Sequence, residues 1–113
     1  MKTNSIKLSK IQKVAFEEIR ISLKNLFSIQ SIILFGSFAR GGDDPESDAD
    51  LLILTKKQIN RSERHVITDL VFEVNLKYGT NFSTLVLDQH SWDEGVYSVL
   101  PIKEEILKEG IEL

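Results

Sequence analysis

Asp48 and Asp50 stand two residues apart at the head of an apolar run, Leu51 to Leu54. If they open a strand, that spacing sends both carboxylates to the same face. Two ionised carboxylates a few ångströms apart repel each other, and a divalent cation removes the conflict. Mg²⁺ in particular favours carboxylate oxygens combined with substrate phosphates. The bland reading of the same residues is a solvated acidic turn, since Gly41, Gly42 and Pro45 precede them. Five of the 17 acids fall between Asp43 and Asp50. Crowding carboxylates does not stabilise a chain, so a positive partner at this place is expected.

About a dozen residues upstream, Gly36 and Ser37 follow another apolar run. A strand-Gly-Ser-helix junction presents unpaired backbone N–H groups at the positive end of a helix, where phosphate binds readily. Glycine lets the phosphate approach the backbone closely. An ordinary strand-to-helix turn has the same appearance, so the pair alone decides little. Arg40 can neutralise phosphate charge or pair with Asp43 or Asp44. A Walker-type loop is excluded, because Gly42-Asp43 stands where Lys-Ser/Thr is required. An EF-hand is excluded as well: with Asp44 first, position six is Ala49 and position twelve is Thr55. Together, a phosphate-binding turn and a carboxylate pair on adjacent strands are equipment for phosphoryl or nucleotidyl transfer from a metal-held triphosphate.

The flanking residues supply the elements that must hold these groups. Ser9 and Gln12 form a capping-box pattern. Ile11, Ala15, Ile19, Leu23 and Leu26 then make one apolar stripe, a helix from about Ser9 to Phe27. Ser31 to Phe35 and Asp50 to Thr55 read as buried strands, the second apolar on both faces. From about Asn60 to Tyr78 the helical period returns through Ile67, Leu70 or Val71, Val74 and Tyr78, with Gly79 as the C-terminal cap. Phe82 to Leu87 is a third strand, ended by Asp88, and Ser91 with Glu94 suggests a short capped turn. Pro101 fits the first turn of a last helix, Ile102 to Glu109, closed by Gly110. The expected fold class is α/β (α+β): a small mixed sheet of about three to four strands flanked by helices.

The totals agree with this picture. At 113 residues the chain suits a single domain, 1–113. No apolar run approaches the ~20 residues of a membrane span. No signal-peptide core appears in Met1 to Lys10, and with Cys 0 disulfides and thiolate metal sites are excluded. A cytoplasmic protein is expected. The net charge of -3 argues against a broad nucleic-acid-binding face. His65, in the polar part of a helix, and His90, in a turn, read as surface residues. Trp92, Tyr97 and Phe82 read as core before they read as a partner contact.

Gly36-Ser37-Phe38-Ala39-Arg40-Gly41, followed by Ser47-Asp48-Ala49-Asp50-Leu51, resembles the signature of the polymerase-β-like nucleotidyltransferases. The resemblance is closest to the minimal nucleotidyltransferase (MNT) branch, and the element order agrees across nearly the whole chain. It implies a nucleotidyltransferase-like core in which Gly36 and Ser37, with Arg40, bind the nucleotide. Asp48 and Asp50 would be the catalytic carboxylates that hold Mg²⁺. It further implies ATP or another NTP as substrate and a helical HEPN-type protein as partner in a toxin–antitoxin pair. The reaction implied is transfer of AMP to a hydroxyl of that partner.

One position departs from the family pattern. Active members carry a third carboxylate on a later strand, and here Ser83 or Thr84 occupies the expected place. Asp88 lies on the Thr84 face by alternation, toward the strand end, and Glu73 belongs to a solvated helix surface. The alternative is therefore an inactive nucleotidyltransferase-fold module that neutralises a helical partner by binding it. Nothing in the residues selects between a monomer and a homo-oligomer.

Overall fold

A computed structural model of the chain describes residues 8–35 and 49–112. The first element, α1, is Lys10–Leu26. Its start is fixed by a complete capping box: Ser9 Oγ accepts from the Gln12 N–H at 3.2 Å, and Gln12 Oε1 accepts from the Ser9 N–H at 2.8 Å. The apolar stripe lies slightly off the expected line. Gln12, Ala15, Phe16, Ile19 and Leu23 are buried, whereas Ile11 is 47% and Leu26 60% exposed. Gln12 occupies the buried side because its amide is engaged in the cap.

Strand β1, Ile29–Phe35, starts two residues before the expected Ser31. It pairs antiparallel with β2, Ala49–Thr55, which pairs parallel with β3, Phe82–Asp88. Between β2 and β3 runs α2, Arg61–Tyr78. Asn60 and Glu63 cap it reciprocally at 2.8 and 3.0 Å. Gly79 ends it in the left-handed region at φ 69, a conformation glycine adopts without a Cβ penalty.

After β3 the chain forms α3, Gln89–Glu94, a 3₁₀ turn at Val96–Val99, and α4, Pro101–Glu109. Pro101 takes the first helical turn, so α4 begins one residue before the expected Ile102. A two-residue strand, β4 (Ile111–Glu112), then returns antiparallel to β1, giving the four-stranded order β3-β2-β1-β4. Gly110 permits that return. A Cβ there would stand 2.5 Å from the Ile106 carbonyl oxygen and 2.7 Å from Ile33 Cγ2.

The sheet is covered on both faces. Side chains of Ile32, Leu34, Leu51, Ile53, Phe82 and Val86 pack with Ala15, Phe16, Ile19 and Leu23 of α1 and Ile67, Val71 and Val74 of α2. On the other face Ile33, Leu52, Leu54 and Leu87 pack with Trp92 of α3 and Ile106 of α4. The uniformly apolar Leu51–Leu54 run is thus divided between two cores, as a strand buried on both sides requires. Trp92 and Phe82 are core residues, and the Tyr97 side chain lies outside the described ones. No helix among the described residues is long and apolar enough to cross a membrane.

Candidate active site at the start of β2

Of the sequence-predicted site residues, Asp50 is described. Gly36, Ser37, Arg40 and Asp48 lie outside the described residues. Asp50 is the second residue of β2, half-buried, with Phe35 opposite it on β1 and Ser83 beside it on β3. Phe35, opposite Asp50, is the last residue of β1, and Gly36 follows it in the sequence.

Strand alternation assigns the faces. Asp50 shares a face with Leu52 and Leu54, which belong to the core with Trp92 and Ile106. Ser83 shares that face with Leu85 and Leu87. Thr84 stands in register with Leu51, whose side chain packs on the opposite core. Between the two candidates left open by the sequence, Ser83 is therefore the one beside Asp50. It is exposed, at the rim of the sheet.

Asp88 is placed elsewhere. It pairs in register with Thr55 at the opposite end of β2, five residues from Ser83 and so roughly 16 Å along the strand. Its carboxylate is the N-cap of α3: Oδ2 accepts from the Ser91 N–H at 3.0 Å and Oδ1 accepts from the Ser91 hydroxyl at 2.6 Å. The capped turn expected from Ser91 and Glu94 is thus capped by Asp88, with Ser91 as the donor. Those two hydrogen bonds hold the Asp88 carboxyl below the ordinary aspartate range, against the opposing effect of its burial. Glu73, His65 and His90 are exposed, as expected.

The start of β2 is fixed by backbone and packing. The Ala49 N–H donates to the Asn81 carbonyl at 3.0 Å. Asn75, in the last turns of α2, grips the next residue: its Oδ1 accepts from the Phe82 N–H and its Nδ2 donates to the Phe82 carbonyl, both at 2.9 Å. The Phe82 ring packs on Phe16 of α1 at 6.4 Å between centroids. Sequence reasoning missed Asn75. The one signal was a polar residue four positions after the buried Val71, on the core side of the helix.

The donor set suits a hard cation. Asp50, half-buried at the start of β2 and in register with Ser83, carries carboxylate oxygens of the kind a hard cation takes. Among the described residues no three His, Cys, Asp or Glu side chains come together as a metal cluster.

Comparison with known proteins bears on this arrangement. The family profile described as polymerase beta, nucleotidyltransferase matches residues 17–113. A Methanocaldococcus jannaschii protein named as a protein adenylyltransferase is 40% identical over 74 residues, which is 64% of this chain and 49% of that protein. The chain thus spans about half the length of that relative. Among solved structures, a toxin–antitoxin with AMP-PNP superposes with TM-score 0.56 at 16% identity, covering 92% of this chain and 72% of that one. The complex of tri-AMPylated Shewanella oneidensis HEPN toxin with MNT antitoxin gives TM-score 0.53 at 15% identity, covering 88% and 69%. At these identities the structural likeness speaks to the fold.

Proposed function

The chain belongs to the polymerase beta nucleotidyltransferase family, and from that premise we propose that it is a Mg²⁺-dependent adenylyltransferase. It transfers AMP from ATP to a hydroxyl of a HEPN-type helical partner, as the antitoxin side of the pair. The observation that carries this reading is the position of Asp50, at the rim of the sheet where β1 runs into Gly36-Ser37. The adenylyltransferase relative and the AMPylated toxin complex support the choice of nucleotide and partner.

In this reading Asp48 and Asp50 hold the cation, which supplies positive charge against the triphosphate when bound. Gly36 and Ser37 seat the phosphates, and Arg40 offsets their charge. The acceptor oxygen forms a bond to the α-phosphorus, the bond from that phosphorus to pyrophosphate breaks, and the hydroxyl proton leaves to solvent or a partner base. The chain's own part is to orient the phosphates by backbone N–H groups and to hold the two carboxylates side by side. Incubation with α-labelled ATP, Mg²⁺ and the purified HEPN-type partner should place label on the partner. Absence of label with wild-type protein, where the fold and partner binding are intact, contradicts the activity.

A second reading is favoured by Ser83, which stands in register with Asp50 and is, with Thr84, where the resemblance implies a third carboxylate. There the fold neutralises its partner by covering it, without transfer. Joint Asp48→Ala and Asp50→Ala substitution then leaves neutralisation intact, whereas the transfer reading predicts its loss.

A further inference from the structure

Asn75 has more bonds than an asparagine near a helix end needs. Its backbone carbonyl accepts from the Gly79 N–H at 2.8 Å and from the Thr80 N–H at 3.1 Å, which closes the helix. Its side chain does something separate. Oδ1 accepts from both the Phe82 N–H and the Thr80 hydroxyl at 2.9 Å, and Nδ2 donates to the Phe82 carbonyl at 2.9 Å. A carboxamide used this way supplies one acceptor and one donor to the same strand residue, as a neighbouring strand would. β3 lies at the edge of the sheet, so Asn75 completes the ladder at its first residue.

Between Thr80 and Phe82, both held by Asn75, sits Asn81. Its carbonyl accepts the Ala49 N–H at 3.0 Å, and Ala49 immediately precedes Asp50. The route is short and continuous: the Asn75 carboxamide, the Thr80–Phe82 backbone, the Asn81 carbonyl, the Ala49 amide, Asp50. Ala49 and Phe82 are buried, so their backbone groups have little access to water as a substitute partner.

We propose that Asn75 is a positioning residue for the reaction, fixing the start of β2 and with it the Asp50 carboxylate. The proposal rests on the reading that Asp50 is a metal ligand. Residues behind a metal ligand that fix its orientation commonly change metal affinity by about 10–100-fold when removed. Asparagine is required because aspartate keeps the two acceptor bonds but turns an oxygen toward the Phe82 carbonyl, and alanine removes all three side-chain bonds.

Arg64 supplies the control. It lies on the same helix and donates through its guanidinium to the Val86 carbonyl of the same strand. It thus ties α2 to β3 away from Asp50. The full chain is compared as wild type, Asn75→Ala, Asn75→Asp and Arg64→Ala by amide hydrogen exchange and by direct Mn²⁺ titration. Asn75→Ala should speed exchange at Ala49 and Phe82 by at least about tenfold relative to Leu52 and Ile53, and weaken Mn²⁺ binding about tenfold. Arg64→Ala should leave Mn²⁺ affinity at the wild-type level. Asn75→Asp, which keeps the acceptor bonds, serves if the alanine variant does not fold, and should show the same loss to a smaller degree.

Unchanged Ala49 exchange or unchanged Mn²⁺ affinity in a folded Asn75 variant overturns the proposal. Equal losses in the Asn75 and Arg64 variants also overturn it, since they mark a general loosening of β3. A wild-type chain that binds no Mn²⁺ overturns the metal-ligand reading of Asp50 itself and removes the positioning role with it, a result distinct from the other two.

Discussion

Asp50 and Asp88 sit at opposite ends of one sheet, and their surroundings differ in kind. Asp88 is 6% exposed, and both its oxygens accept from Ser91 as the cap of α3. Asp50 is half-buried at a rim, beside an exposed serine and next to the strand that leads into Gly36-Ser37. The first carboxylate is part of the scaffold, with its charge balanced by internal donors. The second is the acid proposed to meet a cation and phosphate. An acid that caps a helix through two internal donors stabilises the fold.

The largest expected effect separates the two acids. Asp50→Asn should lower AMP transfer by about a hundredfold or more, on the order of 3 kcal/mol in barrier. The same variant should leave the thermal midpoint unchanged or raise it, as calorimetry can check. Asp88→Ala should do the reverse: lose about 1–2 kcal/mol of unfolding free energy in a urea titration, as for other N-caps, with transfer at the wild-type rate.

Ser83→Asp sharpens the contrast by placing a second carboxylate in register with Asp50. Metal-free protein should lose about 1 kcal/mol through like-charge repulsion across the strands. Mg²⁺ should then raise its melting temperature more than it raises that of wild type.

The smallest effect concerns pH. The Asp88 carboxyl titrates below its ordinary value because Ser91 hydrogen-bonds its charged form, so folding favours the ionised state. That stabilisation is complete above the unfolded value of about 3.9 and is lost as pH falls through the lower folded value. Asp88→Asn, which retains capping capacity, should therefore show a shallower loss of stability below about pH 4 than wild type, by less than about 1 kcal/mol.

Much of the scaffold was legible because its determinants are local. The Ser9–Gln12 box, the Leu51–Leu54 run and the Gly79 cap each depend on residues a few positions apart. What escaped depends on pairing across the sheet. β4 has two residues and therefore no periodicity to detect, and its place against β1 is made by the close approach at Gly110. The choice between Ser83 and Thr84 required the register of β3 on β2. Asn75 looks like any helical polar residue until Phe82 is brought beside it. Within the candidate site, Asp50 is proposed from its two-residue spacing to Asp48, whereas the Asn75 contacts with Phe82 have no such signal in the sequence.

The most direct test puts the two aspartates side by side in one assay. Wild type, Asp50→Asn and Asp88→Asn are incubated with ATP, Mg²⁺ and the HEPN-type partner, and the partner's intact mass is read for added AMP. Transfer by wild type and Asp88→Asn, with transfer by a folded Asp50→Asn lowered about a hundredfold or more, is the predicted result. Undiminished transfer by Asp50→Asn would contradict the assignment of the reaction to the start of β2.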